Sequence, residues 1–364
     1  MPSEDEVLST IALTFVPGVG SITARRILQQ MGTAAHFFEV CRKYRIPNVK
    51  PEDLKSTAIK EYFTLAESEL RFTQENSVRP RIITESDYPN RLKACEDAPT
   101  VLYSRGNMEL NAQRMIAVVG TRQATPYGQK CCEEIIAELA QYNCTLISGL
   151  ALGIDSMAHR SAQQLGIPNI GVVAHGLDRI YPVSNSSLAR KMENHGGLLT
   201  DFPSGTRPDR ENFPKRNRIV AGLADAVIVV EAAENGGALI TADIAFSYDR
   251  DVFAVPGAWG QPVSLGCNQL IRQNKAAILS NASDLAWYLN WDKKVPSAIQ
   301  TSLFQDMQPD EKKLAACIQS GLDDLDRISI EAGMSISKTS SLLLQMEFAG
   351  WVRSLPGKRY QLLS

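Results

Sequence analysis

The sequence of 364 residues lacks a long apolar run, a paired-cysteine motif and an excess of charge of either sign. Its uninterrupted apolar stretches, such as Ala226–Val230, have the length of a strand, whereas a helix that crosses a bilayer needs about 20 apolar residues. We therefore expect no membrane-spanning helix. The N-terminus, MPSEDEVLST, is acidic and fits neither a secretory signal nor a transit peptide, so the expected location is the cytoplasm.

Cysteine and histidine usage predicts no disulfide framework and no metal site. The seven cysteines are an odd number, are scattered along the chain and include no C-x-x-C pair. His159, His175 and His195 lack H-x-x-x-H spacing and have no neighbouring cysteine. Inert thiols in a reducing compartment are the expected state.

The balance of charge is nearly even, with 38 Lys and Arg against 40 Asp and Glu and a formal net charge of −2. Dedicated nucleic-acid binders usually carry a basic excess, so the average argues against that class. The average conceals a local excess, however. Between Arg207 and Arg218 the chain has five basic residues against two acidic ones.

The spacing of apolar residues divides the chain into three regions and a linker. Residues 1–80 have helical spacing and predict a small all-α unit. Residues 81–290 alternate strand-length apolar runs with helical stretches, which predicts an α/β fold with an extended, Rossmann-like, mostly parallel sheet. Residues 291–309 lose periodicity and predict a linker. Residues 310–364 return to helices and end in a candidate hairpin whose turn is Pro356-Gly357.

The N-terminal unit contains the pattern of a helix-hairpin-helix. Pro17-Gly18-Val19-Gly20 precedes a helix that begins near Ser21, and Arg25 and Arg26 follow one turn later. In such a motif the N–H groups of the second helix point at a phosphate. Two interpretations stay open, namely binding of a phosphate backbone and a tight turn between packed helices.

Three segments of the central region follow strands, where ligands of open α/β sheets bind. Arg122 comes directly after the strand at 115–120 and is expected to point at the ligand crevice. Ser148–Asp155 and Glu234–Thr241 are rich in small residues, and each opens a helix, which predicts cradles that hold phosphates on backbone N–H groups and the Thr241 hydroxyl. Neither has the spacing of a dinucleotide or nucleoside triphosphate site, so no cofactor is expected.

The basic stretch from Arg207 to Arg218 reads RPDRENFPKRNR. Pro214 suits the first position of a helix, which would place the following cations in the first turn and Phe213 just outside it. Cations are unfavourable there unless an anion compensates them. An aromatic ring beside several cations is typical of a site for single-stranded nucleic acid. The alternative is a solvated charged loop with Phe213 in the core.

The C-terminal segment predicts a winged helix-turn-helix, with a helix, a turn at Gly333, a second helix over Ser337–Ala349 and the hairpin. Its would-be recognition helix has Lys338 as its only cation, and residues 310–364 hold seven basic and seven acidic residues. Contact with a protein, or simple packing, is therefore at least as well favoured as reading of a DNA duplex.

Six motifs in fixed order resemble the DprA/Smf family of DNA-processing proteins over about residues 80–290. They are GTRQATPYG, SGLALGIDSMAH, DFPSGTRPDRENFPKRNRIVAGLADAVIVVEA, NGGALITADIA, VFAVPG and GCNQLI. The resemblance implies a SAM/helix-hairpin-helix-like unit before this region and a winged helix after it. It also implies a non-enzymatic, homodimeric protein of natural transformation that binds and protects incoming single-stranded DNA and helps to load the recombinase RecA.

The resemblance also assigns roles to individual residues. Those that would line the DNA groove are Arg122, Phe213, Lys215, Arg216, Asn217 and Arg218, and those that would hold phosphates are Ser148, Gly149, Gly236 and Gly237. Two other functions stay open. A Rossmann-like nucleotide hydrolase would need P-G-G-x-G-T-x-x-E, whose further Gly and Glu the Gly236-Gly237 segment lacks. A duplex-binding regulator would use the terminal helical units.

Overall fold

A computed structural model describes residues 3–291, 308–319, 322–349, 351–355 and 359–362. The chain divides into two compact units, residues 1–292 and 293–364. Most of the predicted linker, and the predicted Pro356-Gly357 turn, lie outside the described residues. In the described part of the chain, no helix is both long and apolar enough to span a bilayer.

The first unit begins with four helices, which are α1 (Glu4–Thr14), α2 (Ser21–Met31), α3 (Ala34–Val40) and α4 (Ser56–Glu75). Short 3₁₀ turns at Cys41–Lys43 and Pro51–Leu54 lie between α3 and α4. The carboxylate of Glu6, buried in α1, accepts the N–H groups of Ala34 at 2.9 Å and Ala35 at 3.1 Å. A negative charge at a helix N-terminus is favourable, so this contact fixes α3 against α1.

The predicted helix-hairpin-helix segment joins α1 to α2 through a tight turn. Gly18 has a φ of +81°, and a Cβ atom there would overlap the carbonyl oxygen of Asn48. Arg25 donates to the carbonyl oxygen of Cys95, and Arg26 Nη2 lies 3.8 Å from a carboxylate oxygen of Glu96. Because its cations contact the chain itself, this segment favours the tight-turn interpretation.

A nine-stranded sheet follows, with the order β1-β2-β6-β5-β4-β3-β7-β8-β9. Its strands are β1 (Arg79–Ile82), β2 (Val101–Arg105), β3 (Met115–Val119), β4 (Thr145–Ser148), β5 (Asn169–Val172), β6 (Gly196–Thr200), β7 (Ala226–Val229), β8 (Asp251–Ala254) and β9 (Ala277–Ile278). Strands β3 to β9 pair in parallel, and β1 and β2 add an antiparallel edge. The predicted mostly parallel α/β fold is confirmed.

Helices cover both faces of this sheet. They are α5 (Asn90–Lys93), α6 (Pro126–Leu139), α7 (Ile154–Gln164), α8 (Ser186–Met192), α9 (Asn212–Leu223), α10 (Gly237–Ser247), α11 (Leu265–Arg272) and α12 (Asp284–Tyr288). Alternate residues of β3 supply two separate cores, because successive side chains of a strand point to opposite faces. Ile116 packs in the core that contains Ile136 of α6, and Ala117 in the one that contains Ile219 of α9.

The strand order reverses at β3, which has β4 on one side and β7 on the other. In open α/β sheets such a reversal leaves a crevice outside the carboxyl ends of the strands. The segments that follow β3, β4 and β7 therefore meet at this edge of the sheet.

The second unit contains α13 (Pro309–Gln319), α14 (Leu325–Glu331), α15 (Ile336–Phe348), β10 (Val352–Leu355) and β11 (Arg359–Leu362). Leu314, Ile328 and Leu343 are fully buried in its own core. Strands β10 and β11 form an antiparallel hairpin after α15, so the predicted winged helix is confirmed. Lys338, at the start of α15, lies 2.7 Å from a carboxylate oxygen of Asp310 in α13.

Two glycines, Gly196 and Gly197, begin β6 and let this strand fit between β5 and β2 in the sheet. Gly196 has a φ of +141°, and a Cβ atom there would overlap the carbonyl oxygen of Asn169 in β5. We expect Gly196→Ala to lower the free energy of unfolding by about 2–3 kcal/mol, because it combines backbone strain with a clash. Urea denaturation measures this, and Gly237→Ala, where a Cβ atom meets nothing within 4 Å, is the matched control. Equal stability of the two variants would contradict the assignment.

Candidate nucleic-acid interface

A groove of about 720 Å³ occupies the crevice at the carboxyl ends of β3, β4 and β7. Its walls come from the segments after these strands and from the start of α9. Eight of the predicted site residues line it, namely Arg122, Gly149, Phe213, Arg216, Asn217, Gly236, Gly237 and Thr241. The topology thus brings together segments that are far apart in the sequence.

Arg122 and Phe213 form a stacked pair on one wall of the groove. The guanidinium carbon of Arg122 lies 5.0 Å from the centroid of the Phe213 ring, within the range of a cation–π contact. The ring centroid of Tyr181 lies 6.2 Å from that of Phe213, with the two rings tilted by 56°. Arg122 and Tyr181 are exposed and Phe213 is half-buried. Two aromatic rings and a cation are therefore accessible from the groove.

The backbone after β3 holds Arg122 in place. The N–H of Thr121 donates to the carbonyl oxygen of Glu231 at 2.7 Å, and the N–H of Ile154 donates to the carbonyl oxygen of Thr121 at 3.2 Å. Gly153, with a φ of +76°, packs so closely beneath that a Cβ atom would overlap the same carbonyl oxygen. The segment is thus fixed between the end of β7 and the start of α7.

Arg216 forms the floor of the groove, and only 4% of it is exposed. Its Nη1 donates to the carbonyl oxygen of Val172 at 2.8 Å. A Cβ atom on Gly149 would overlap the guanidinium and would lie 2.6 Å from a carboxylate oxygen of Asp155, so only glycine fits between these two charges. Among the described residues, Nε of Arg216 has no hydrogen-bond partner.

Burial dominates the electrostatics of this charge pair. It lowers the pKa of Arg216 to about 10, while Asp155 opposes the shift and Arg122 adds to it. Burial also raises the pKa of Asp155, and the attraction of Arg216 opposes that rise. At neutral pH Arg216 remains protonated. Even when Asp155 is counted as an anion that offsets Arg216, the charges of Arg122 and Arg210 remain as a positive excess in the groove.

The start of α10, which follows β7, forms another wall of the groove. The N–H of Gly236 is used in a turn to the carbonyl oxygen of Ala233 at 2.9 Å. Gly237 and Ala238 are the first residues of α10 and line the groove. The first N–H groups of a helix have no partner within it, so they are available to an acceptor in the groove. Thr241 is buried in the same wall, one turn later.

Three other predicted site residues lie outside the groove lining. Ser148 is fully buried, and its hydroxyl donates to the carbonyl oxygen of Val118 at 2.6 Å. Lys215 is exposed and borders a separate cleft beside the start of α2. Arg218 borders the same cleft, and its Nη2 lies 2.5 Å from a carboxylate oxygen of Asp201.

Helical geometry explains this separation. At about 100° per residue, positions 213, 216 and 217 fall on one side of α9, whereas positions 215 and 218 fall on the other. The cations of the basic stretch therefore face two different surfaces. The Arg216 side lines the groove at the ends of β3, β4 and β7, whereas Arg218 meets Asp201, directly after β6.

The structure adds two groove residues that sequence reasoning did not single out. Tyr181 comes from the loop after β5, where no motif marks it. Arg210 belongs to the basic stretch and is exposed in the groove, so the local charge excess was the available signal.

The described residues contain no group of three or more His, Cys, Asp or Glu side chains placed to hold a metal ion. All seven cysteines are free, and five of them are buried. Burial raises the pKa of the Cys132, Cys144 and Cys267 thiols to about 12, which disfavours the reactive thiolate form.

The class of protein is defined by its two units. The first is Rossmann-like, with a ligand groove where the strand order reverses at β3, and the second is a winged helix. The family model described as DNA recombination-mediator protein A matches residues 80–290, and the DprA winged helix domain matches residues 298–358. The chain belongs to this DprA/Smf family.

Curated relatives support the assignment over most of the chain. Protein Smf of Synechocystis is 34% identical over 328 residues, which cover 80% of this chain and 82% of the relative. The DNA processing protein DprA of Bacillus subtilis is 37% identical over 240 residues, which cover 65% of this chain and 81% of the relative.

Two solved structures have the same fold. DprA of Streptococcus pneumoniae superposes with a TM-score of 0.67 at 29% identity, over 78% of this chain and 98% of that one. DprA of Helicobacter pylori, whose structure was reported for its single-stranded DNA binding mode, superposes with a TM-score of 0.54 at 27% identity, over 59% of this chain and 97% of that one.

His159 of α7, next to this site, makes stability depend on pH. It is fully buried, with Nδ1 3.1 Å from the side-chain oxygen of Asn169, and burial lowers its pKa from 6.5 to about 4. Between these values the unfolded chain binds the proton and the folded chain does not, so stability is present above pH 6.5 and is lost as the pH falls toward 4. For this one group we expect a loss of about 2 kcal/mol between about pH 7 and 5.

Urea titrations at several pH values of the wild type and of His159→Gln measure this contribution. The variant removes this titration. Between about pH 7 and 5 its free energy of unfolding should therefore fall by about 2 kcal/mol less than that of the wild type, whatever the absolute stability of the variant. Parallel pH profiles would contradict the assignment.

Proposed function

We propose that this protein binds single-stranded DNA in the groove without reading its sequence. In this proposal it protects incoming DNA, helps to load the recombinase RecA in natural transformation, and acts as a homodimer without catalysing a reaction. The observation that carries the proposal is the stacked Arg122–Phe213 pair beside the buried guanidinium of Arg216.

Electrostatics favours a phosphate ligand. Three arginines line the groove, Arg122, Arg210 and Arg216, against one carboxylate, that of Asp155. Nε of Arg216 has no partner among the described residues, and a buried donor without an acceptor is costly. A phosphate oxygen would satisfy this donor through a charge-assisted hydrogen bond. The free N–H groups at the start of α10 add a second place for a phosphate.

The aromatic side chains favour a single strand over a duplex. A base that is unpaired stacks on the ring of Phe213 or Tyr181, whereas in a duplex each base is already stacked between its neighbours. The would-be recognition helix α15 offers little to a duplex, because its one cation, Lys338, is paired with Asp310.

Residues outside the groove lining have supporting roles in this proposal. Ser148 ties the end of β4 to β3, and Arg218 ties α9 to Asp201. Lys215 stays a candidate contact on the outer side of α9, where its charge is only loosely engaged by Glu211 at 3.9 Å. The RecA and homodimer assignments come from the family resemblance.

The geometry favours binding over hydrolysis. A nucleotide hydrolase needs a carboxylate free to act as a base or nucleophile. The carboxylate of Asp155 is buried against Arg216 and accepts the N–H of Ala151 at 3.3 Å. Release of a base from nucleoside monophosphates by the pure protein would overturn the non-enzymatic part of the proposal.

Charge and stacking at the groove are separable by their dependence on salt. We expect Arg122→Glu to weaken binding of oligothymidine more than tenfold and to make the slope of log K against log salt less steep by about 0.7, since one phosphate contact is lost. Phe213→Leu removes the stacking ring and should weaken binding by about 1–3 kcal/mol with an unchanged slope. Fluorescence anisotropy at several salt concentrations measures both.

Lys191→Glu, a charge reversal at an exposed position of α8, is the matched control and should bind as the wild type does. A folded Arg122→Glu variant with wild-type affinity and slope would exclude the groove as the binding site.

A further inference from the structure

A second concave and basic surface lies in the N-terminal helices. The connection between α3 and α4 encloses a pocket of about 890 Å³. Four cations line it, Arg42, Arg45, Lys50 and Lys55, and its lining includes no carboxylate. Residues 41–56 as a whole contain five basic and two acidic residues in a chain of net charge −2. We call this surface the α3–α4 pocket.

The charges of the α3–α4 pocket are not compensated by the protein. All four cations are exposed, and within the described residues none of them forms an ion pair with a carboxylate. Asp53, one of the two acidic residues of the turn, accepts the backbone N–H of Lys50 at 3.3 Å. Like charges held together in a concave surface raise the local concentration of an anion.

An aromatic ring accompanies these cations. Tyr44 lies between Arg42 and Arg45 in sequence, lines the same pocket and is 52% exposed. Ile46 and Leu54 are buried and also line the pocket, so an apolar floor lies beside the charged rim. A ring on which a base stacks, next to cations that meet successive phosphates, is the combination that binds a single strand. An acidic peptide would use the cations but has no bases to stack on the exposed ring.

We propose that the α3–α4 pocket is a second site for single-stranded nucleic acid. It is distinct from the groove, because the two share no lining residue. Its cations are also different from those of the helix-hairpin-helix segment, whose Arg25 and Arg26 contact Cys95 and Glu96. A strand longer than the groove then gains affinity from the second contact, as linked sites do. This proposal rests on the proposed function in one respect, because it takes the same class of ligand, a single-stranded nucleic acid.

The test compares two lengths of oligothymidine on the full chain, one of about 10 and one of about 40 nucleotides, since single-strand sites span about 4–16 nucleotides. Arg45→Glu with Lys50→Glu should weaken binding of the long oligonucleotide at least fivefold and make its salt slope less steep by about 1.4. Binding of the short one, which the groove accommodates, should not change. Tyr44→Ala should weaken only the long one, with its slope unchanged.

The controls separate this proposal from the groove. Lys93→Glu with Lys191→Glu makes the same change in net charge at exposed positions elsewhere and should leave both oligonucleotides unaffected. Arg122→Glu should weaken binding of the short oligonucleotide, whereas the pocket variant should leave that binding unchanged. Failure of one site is therefore distinguishable from failure of the other. If charge reversal prevents folding, as judged by circular dichroism, Arg45→Gln with Lys50→Gln takes its place.

Wild-type affinity and slope of the pocket variant for the long oligonucleotide would overturn the proposal. Loss of polyglutamate binding without loss of DNA binding would likewise overturn it and would assign the pocket to an acidic protein.

Discussion

The buried charge of Arg216 is the constraint on which the groove depends. A guanidinium removed from water needs an anion and hydrogen-bond acceptors, and it finds them in Asp155 and the carbonyl oxygen of Val172. Those contacts fix the first turn of α9 against the ends of β4 and β5, which in turn sets Phe213 beside Arg122. Gly149 is required because any side chain there would separate the two charges.

Charge in this protein is organised locally. The net charge of −2 is the balance of 38 basic and 40 acidic residues, and some of the cations are paired within the fold, such as Arg218 with Asp201 and Lys338 with Asp310. The groove has three arginines and one carboxylate in its lining, the α3–α4 pocket has four cations and no carboxylate, and each of these places also presents an exposed or half-buried ring. Such an arrangement limits non-specific attraction to duplex DNA while leaving two surfaces suited to a flexible strand.

The sequence predicted the features that follow from local pattern. The parallel strands are continuous apolar runs, and Arg122 could be placed in the crevice because it directly follows one of them. Strands β1, β2 and β9 were not predicted. RPRI is half charged with a proline, VLYSR ends in two polar residues, and Ala277–Ile278 is too short to show alternation. The burial of Arg216 depends on Asp155, and the position of Tyr181 depends on a loop from β5, so neither follows from local sequence.

Photocrosslinking of the full chain with oligothymidine that carries 4-thiothymidine, followed by peptide mass spectrometry, tests whether the bases of a single strand lie in the groove. Short-range crosslinks report which side chains touch the bases, independently of affinity. The account predicts crosslinks in the peptides that contain Phe213 and Tyr181, and their loss in Phe213→Leu. Crosslinks confined to the winged-helix unit, with none in the groove peptides, would contradict it.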